Sequence, residues 1–419
     1  MPQQPISIIG AGIGGLALAR CLRNHGIPSI LYEKMSSAPR HHYGITLHAS
    51  SYRPLLGLLN LGETTFRRRV AVDGAVGGSG HINPQTVMNP GAANSHYFRA
   101  HRGRLEQLLR EGLDVKWEQA VQQVEQTPSG TVLRFQDCRK VESGCVIGAD
   151  GPHSHTRQCL LPDTDLDVLP IVAYNGKRRV ERAMFDNFYA PFMKGSNVLE
   201  TKLKDAVINV SLNERKDDFV YMSWTYSRPS RGPHDPLHRP NRSNAEATSI
   251  PNDFYAEISA LSDLETPFKD AFDAEKIRQD RVLHWLMRTG LVNLQDLQAL
   301  AQKGIFFIGD AIHAEPILGG EGANAAIVDG FELADCIASS GVAGISTWYE
   351  KQFSRWESGV GESEKRIAEL YGVRKVALRG HSKCDESGFL LATAHSTSAM
   401  PLKQDKSALS KPVSSFYKI

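Results

Sequence analysis

Pro5-Ile6-Ser7-Ile8-Ile9-Gly10-Ala11-Gly12-Ile13-Gly14-Gly15 opens the readable part of this chain. The apolar run before Gly10 is long enough for a buried strand and too short for a helix. Gly10 permits a tight turn, Gly12 lets backbone approach a pyrophosphate, and Gly15, beside Gly14, lets the next helix pack closely on the sheet. That helix is predicted over Ile13 to Asn24, with its free N–H groups and positive dipole end aimed at phosphates, and it stops at His25-Gly26. A second apolar run, Ser29-Ile30-Leu31-Tyr32, ends in Glu33-Lys34, close to the offset at which an acidic residue binds a ribose hydroxyl. An acid there favours a free 2′-hydroxyl, so FAD or NAD fits better than NADP. The plainer alternative is a glycine-rich turn without a ligand. Strand, helix and Glu33 in register argue for dinucleotide binding.

Spacing in this unit does not separate FAD from NAD; two later segments do. Gly148-Ala149-Asp150-Gly151 follows the short apolar run Cys145-Val146-Ile147, and Gly309-Asp310-Ala311-Ile312-His313 follows Ile305-Phe306-Phe307-Ile308. Asp310, after a buried strand and a glycine, is placed to accept a hydrogen bond from a ribitol hydroxyl; helix capping is the plainer alternative. Gly319-Gly320-Glu321-Gly322 precedes a small-residue helix predicted over Gly322 to Ser339. Backbone N–H groups of Gly320, Gly322, Ala323 and Asn324 can then face the pyrimidine end of an isoalloxazine, where a helix N-terminus stabilises negative charge.

These segments resemble the single-component (class A) flavoprotein monooxygenases, the group of para-hydroxybenzoate hydroxylase, salicylate hydroxylase and the tetracycline-inactivating enzymes. Gly148 to Arg157 is similar to their G-A-D-G-x-x-S-x-x-R motif, Gly309 to Asp329 to their G-D-x-x-H…G-x-G-x-N…D block, and Arg102 to Leu105 to their R-x-x-L helix entry. The resemblance spans the first strand to about Leu333. It implies an α/β fold in which a Rossmann-like FAD-binding domain, split in sequence, carries an inserted, mostly antiparallel β-sheet substrate domain and a C-terminal helix. It implies FAD as cofactor and NAD(P)H and O2 as co-substrates. A flavin hydroperoxide would pass one oxygen atom to a small aromatic or polycyclic, electron-rich substrate. Hydroxylation is expected, with epoxidation or Baeyer–Villiger insertion on the same scaffold, in secondary metabolism or aromatic degradation. By resemblance Asp150, Gly151 and Arg157 serve FAD and NAD(P)H, and Arg102 reaches the pyrophosphate or ribitol side; for Arg157 a surface ion pair is the plainer alternative. Two departures stand out: the family's proline position after the histidine holds Ile317, with Pro316 one residue earlier, and the glutamine of its G-Q-G turn is Glu321. Other readings on the same fold are a flavin reductase or oxidase, or a non-catalytic FAD-fold protein. The halogenase signature W-x-W-x-I-P is absent.

Along the chain, residues 1–167 read as the first part of the FAD domain, with about 70–100 contributing to the substrate domain. Residues 168–283 read as the substrate domain, 284–341 as the second part of the FAD domain, and 342–419 as a C-terminal helix and flexible tail. Val121 to Gln126 and Thr131 to Gln136 read as a hairpin, and Ala206 to Leu212 and Phe219 to Tyr226 alternate as half-buried strands. Tyr221, Trp224 and Tyr226 are candidate pocket residues, with Trp224 and Tyr226 on one face and Tyr221 on the other; core packing is the plainer alternative for each. His48 and Ile317 complete the candidates, and no catalytic base is named. Arg228 to Pro251, dense in Pro, Arg, His, Asn and Ser, is read as a surface excursion or a lid. A helix is predicted over Ile345 to Leu378, broken at Gly359-Val360-Gly361.

Composition narrows the alternatives. Across 419 residues, 41% hydrophobic, the net charge is only +2 and basic residues are interspersed with acidic ones, so nucleic acid is not an expected partner. The six cysteines form no C-x-x-C pair and no metal-like spacing, so no metal is expected. The first strand begins too early for a signal peptide and no window suits a membrane span, so a cytoplasmic monomer or homodimer is expected.

Overall fold

The fold is described from a computed structural model covering residues 4–39, 41–75, 77–78, 97–127, 130–193 and 195–372. The strand Ile6–Ile9 lies at the centre of a five-stranded parallel sheet. Its order is Ile305–Phe307, Val146–Gly148, Ile6–Ile9, Ser29–Tyr32, Val115–Lys116. Parallel strands covered on both faces are apolar throughout, and Ile8, Leu31, Val146, Ile147 and Ile305 are fully buried here. The helix Ile13–Asn24 packs against the helix Gly322–Ser340 through small residues. A Cβ added to Gly14 would stand 3.2 Å from that of Ala326, and one on Gly330 would stand 2.8 Å from Leu18 N. A three-stranded antiparallel meander, Val121–Thr127, Gly130–Phe135 and Lys140–Ser143, lies between the strands Val115–Lys116 and Val146–Gly148.

The second sheet is wholly antiparallel, in the order Val198–Lys202, Val207–Arg215, Phe219–Pro229, Ile171–Glu181, Arg281–Trp285. Its two faces differ. Val172, Tyr174, Ile208, Val210, Met222, Trp224 and Tyr226 point to one side and form a core with Phe254, Ile258 and Ile277, from the helices Asn252–Ser259 and Ala274–Gln279. On the other face Asn175, Ser211, Asn213, Ser223, Thr225 and Ser227 are buried although polar. This face is turned to the cofactor lobe: Asn213 Oδ1 accepts the Gly44 N–H at 3.2 Å, from the strand Gly44–His48. That strand pairs with Tyr97–His101. Val72 and Gly77 also reach the second sheet: Val72 O accepts the Arg215 N–H at 3.1 Å, and Asn197 Nδ2 donates to Gly77 O at 2.6 Å.

Two expectations are corrected. The C-terminal helix runs unbroken from Ile345 to Tyr371, through Gly359 and Gly361, and ends at left-handed Gly372. Burial of Trp348, Tyr349, Trp356 and Ile367 outweighs the cost of about 1 kcal/mol per helical glycine. The predicted extension to Leu378 and the tail lie outside the described residues. The segment 228–251 is irregular apart from a 3-10 turn at Ala245–Thr248, but it is neither a loose excursion nor a lid over the polar face. Leu237 is fully buried in the outer core, and Arg228 is clamped by Asp235 and Glu257. No described helix is long and apolar enough to cross a membrane.

Candidate cofactor and substrate site

The glycine turn has the shape of a phosphate cradle. Gly10 has φ +104°, and a Cβ there would stand 2.6 Å from Ala149 O; one on Gly15 would stand 2.1 Å from Gly10 O. Gly12 is the opposite case: a Cβ there meets nothing within 4 Å, so its backbone faces open space. Glu33, 6% exposed, accepts the Ala11 N–H at 2.9 Å and the Met35 N–H at 3.0 Å, which fixes its carboxylate beside the turn. Lys34 next to it is exposed.

Asp310 supplies a direct test of fit. It is enclosed by protein yet partly accessible, its pKa is raised by burial, and its carboxylate makes no hydrogen bond among the described residues. A buried acceptor without a donor is costly unless a ligand hydroxyl answers it. The Gly309 turn that presents it has φ +61° and is locked by Asp329, which accepts the Gly309 N–H at 2.9 Å. Asp329, fully buried, also meets His313 Nε2 at 2.5 Å, Trp356 Nε1 at 2.9 Å and Arg355 at 3.0 Å. Burial opposes charge on His313, but Asp329 outweighs it and raises the imidazole's pKa.

At the next corner Pro316 is buried, Ile317 is 52% exposed, and Gly320 is left-handed at the head of Gly322–Ser340. The Glu321 carboxylate does not stand alone there. His48 Nδ1 lies 3.5 Å away, and Arg366 Nη1, 3.7 Å away, offsets its charge. Asn324 joins the corner to the first lobe: its Oδ1 accepts the His48 N–H at 3.0 Å and its Nδ2 donates to Thr46 O at 3.0 Å. Ala323 follows on the same first turn. The positions chosen from sequence at both ends of the chain thus meet: Gly10 abuts Ala149, and Gly14 and Gly309 both pack on Ala326.

Asp150, Arg157 and Arg102 are tied within the protein. The Asp150 carboxylate takes the Ser154 hydroxyl at 2.5 Å and the Thr156 N–H at 3.1 Å, while Gly151 makes the turn with φ +81°. Arg157, 2% exposed, donates to Ala311 O at 2.7 Å and Pro152 O at 2.9 Å, and so staples the second motif to the third. Its burial replaces the surface ion pair weighed from sequence. Arg102 pairs with Glu106 at 2.9 Å and the Tyr43 hydroxyl; burial works against its charge, and these partners raise its pKa.

Trp224 and Tyr226 do not lie on the sheet face turned to the first lobe. They are 2% and 1% exposed in the core on the far face, against Phe254. Tyr221 is on the near face, half-buried, with Lys216 Nζ 5.4 Å from its ring centre. Sequence reading missed the residues that make this face: cross-strand pairing sets Glu200, Asn209, Thr225 and Asn175 in one row, and Ser211, Ser223 and Lys177 in the next. Burial pushes the Glu200 carboxyl up to about 7. Polar residues at every second position were a visible signal, but alternation does not say which face looks toward the cofactor. His42, His101 and Glu214 bring ligand-type atoms within 4.8 Å of one another. Arg104 already holds Glu214 at 2.7 Å and donates its N–H to His101 Nδ1 at 3.1 Å, so the cluster ends an ion-pair network.

A split parallel-sheet lobe with glycine turns converging on one crevice, joined to a polar-faced antiparallel sheet, is the architecture of a flavin-dependent oxidoreductase. The sequence matches the FAD binding domain family over residues 3–285 and 292–342. It is 35% identical over 394 residues to the FAD-dependent monooxygenase nscC of Neosartorya fischeri, covering 88% of this chain and 96% of that protein. It is 33% identical over 387 residues to the FAD-dependent monooxygenase adaC of Aspergillus niger, covering 88% and 93%. The fold is shared with CtdE, solved in complex with FAD and substrate 4, at a TM-score of 0.66 and 17% identity over 89% of this chain and 91% of that one. The chain belongs to the FAD-dependent monooxygenase family.

Proposed function

We propose that this protein uses NAD(P)H and O2 to hydroxylate a polyhydroxylated or polycyclic aromatic compound, held between the flavin corner and the polar face of the substrate sheet. The observation that carries this reading is that face. Two registered rows place buried Asn175, Ser211, Ser223 and Thr225 beside half-buried Lys177, Glu200 and Asn209 without forming an apolar core. Such a surface matches a flat ligand rich in oxygen substituents.

Bound FAD, reduced by NAD(P)H, supplies the oxygen chemistry. The chain's own part is to bind, orient and move protons. Asp310 would accept from a ribitol hydroxyl, and the N–H groups at Gly320 to Ala323 would serve the pyrimidine side of the ring. Arg366 offsets the Glu321 charge beside it. Asn175, Ser223 and Thr225 orient the substrate. Glu200 takes up a phenolic proton, its carboxyl lying where a base works near neutral pH. NAD(P)H consumption with a panel of phenols, indoles and polyketide-like aromatics tests the reading. Stimulation by one compound, whose product gains one atom from labelled O2, is expected; hydrogen peroxide as the only product with every compound would overturn it.

A further inference from the structure

Arg99 lies on the strand Tyr97–His101, registered opposite Thr46. Its side chain crosses Gly44, where an added Cβ would stand 2.6 Å from Arg99 Nε. Gly44 is also the residue that Asn213 holds, and Asn324 fixes Thr46 O from the flavin corner. The guanidinium therefore sits at the seam of the cofactor lobe and the polar sheet face. Its hydrogen bonding is nearly empty: Nη1 meets Thr46 Oγ1 at 3.5 Å, and Nε is buried with no partner. Protein encloses it while part of its surface stays reachable, as for a side chain lining an internal chamber. Among the described residues no carboxylate opposes it; burial acts on the group and pushes it down to about 10.

A guanidinium stays charged at working pH, and its donors are costly to leave unpaired away from water. Other enclosed arginines are answered within the protein by carboxylates or at both terminal nitrogens, although Arg157 Nε too is without a partner. Arg228 has Asp235 and Glu257, Arg178 has Asp280, and Arg157 has two carbonyls. A cation retained unpaired in this chamber is matched to an anion that arrives with the ligand.

We propose that Arg99 recognises a delocalised oxyanion of the substrate, so that the enzyme takes acidic aromatics in their ionised form. The proposal rests on the reading that the substrate occupies this seam. The oxyanion is a phenolate or enolate conjugated to a carbonyl, or an aromatic carboxylate; either accepts two parallel N–H bonds from the guanidinium fork. Holding the ionised form also keeps the ring electron-rich.

The test uses the full-length, FAD-loaded protein without NAD(P)H, reading probe binding from the perturbed flavin absorbance. The probes are 1-hydroxy-2-naphthoate, its methyl ester, and neutral 1-methoxynaphthalene. Arg99→Gln should weaken 1-hydroxy-2-naphthoate on the order of ten- to a hundredfold and leave 1-methoxynaphthalene unchanged, with Arg99→Lys between. A loss shared by the ester above its phenolic pKa assigns a phenolate; a loss confined to the acid assigns a carboxylate. Arg99→Met should keep FAD and unfold at the same or a higher temperature, because it removes an unpaired buried charge. Several results would overturn the proposal. They are no preference of the unmutated protein for the anion, equal affinity in Arg99→Gln, an equal loss for 1-methoxynaphthalene, or loss of FAD or of melting temperature in Arg99→Met. Since neither reductant nor oxygen turnover enters, a failure here is distinct from a failure to oxygenate any aromatic.

Discussion

Gly12 and Gly15 stand three positions apart and should fail differently when enlarged. Alanine at Gly15 drives its methyl into Gly10 O, so Gly15→Ala should cost about 3 kcal/mol in the thermal melt of the apoprotein and abolish flavin binding. Alanine at Gly12 meets no protein atom, and φ −75° suits any residue. Gly12→Ala should melt within about 0.5 kcal/mol of the parent yet lose FAD affinity by about a hundredfold, read by flavin fluorescence. Glu200 gives a different signature. With a carboxyl near 7, kcat/KM should rise with pH through that value, and Glu200→Gln should lose this limb while retaining FAD absorbance. A pH profile unchanged in Glu200→Gln would remove the residue from the proton path.

The middle sheet shows what periodicity reveals and what it leaves hidden. Alternation placed Trp224 and Tyr226 opposite Tyr221, but only the docking of Asn252–Ser259 and Ala274–Gln279 decides which side is core. Those helices are long-range partners that no local pattern contains. The Arg228 clamp is similar: composition marked the segment as irregular, while its anchor, Glu257, stands on the following helix. Glycine-rich turns were legible because backbone conformation and close approach restrict the residue locally. Gly176 was not, since its reason lies across the strand pair: Trp224 covers it, and a Cβ there would fall 2.1 Å from the indole. Gly176→Ala should cost about 2–4 kcal/mol by urea unfolding, with the indole's hydrogen bond to Asp280 (2.7 Å) lost and bound flavin retained.

Across the whole molecule, two buried imidazoles work against stability in acid, offset in part by Glu200 and His313, whose raised pKa values let the folded chain take up protons first. Burial is the largest cause that pushes His101 down to about 4 and His284 to about 3, with neighbouring arginines acting in the same sense. In the unfolded chain both titrate near 6.5, so below about pH 6.5 the unfolded state takes up protons that the folded state refuses. Stability should fall as pH drops toward these folded values, approaching about 1.4 kcal/mol per pH unit for each histidine. Urea unfolding at pH 7.5, 6 and 5 measures the slope, and His101→Gln with His284→Gln should flatten it. The split lobe has another outcome, during synthesis. On the proposed reading the nascent polypeptide carries only part of its coenzyme site until the stretch with Asp310 and Asn324 has left the ribosome, and before then Val146–Gly148 lacks its neighbour Ile305–Phe307. Translation that stalls upstream of Ile305 yields a colourless, self-associating fragment.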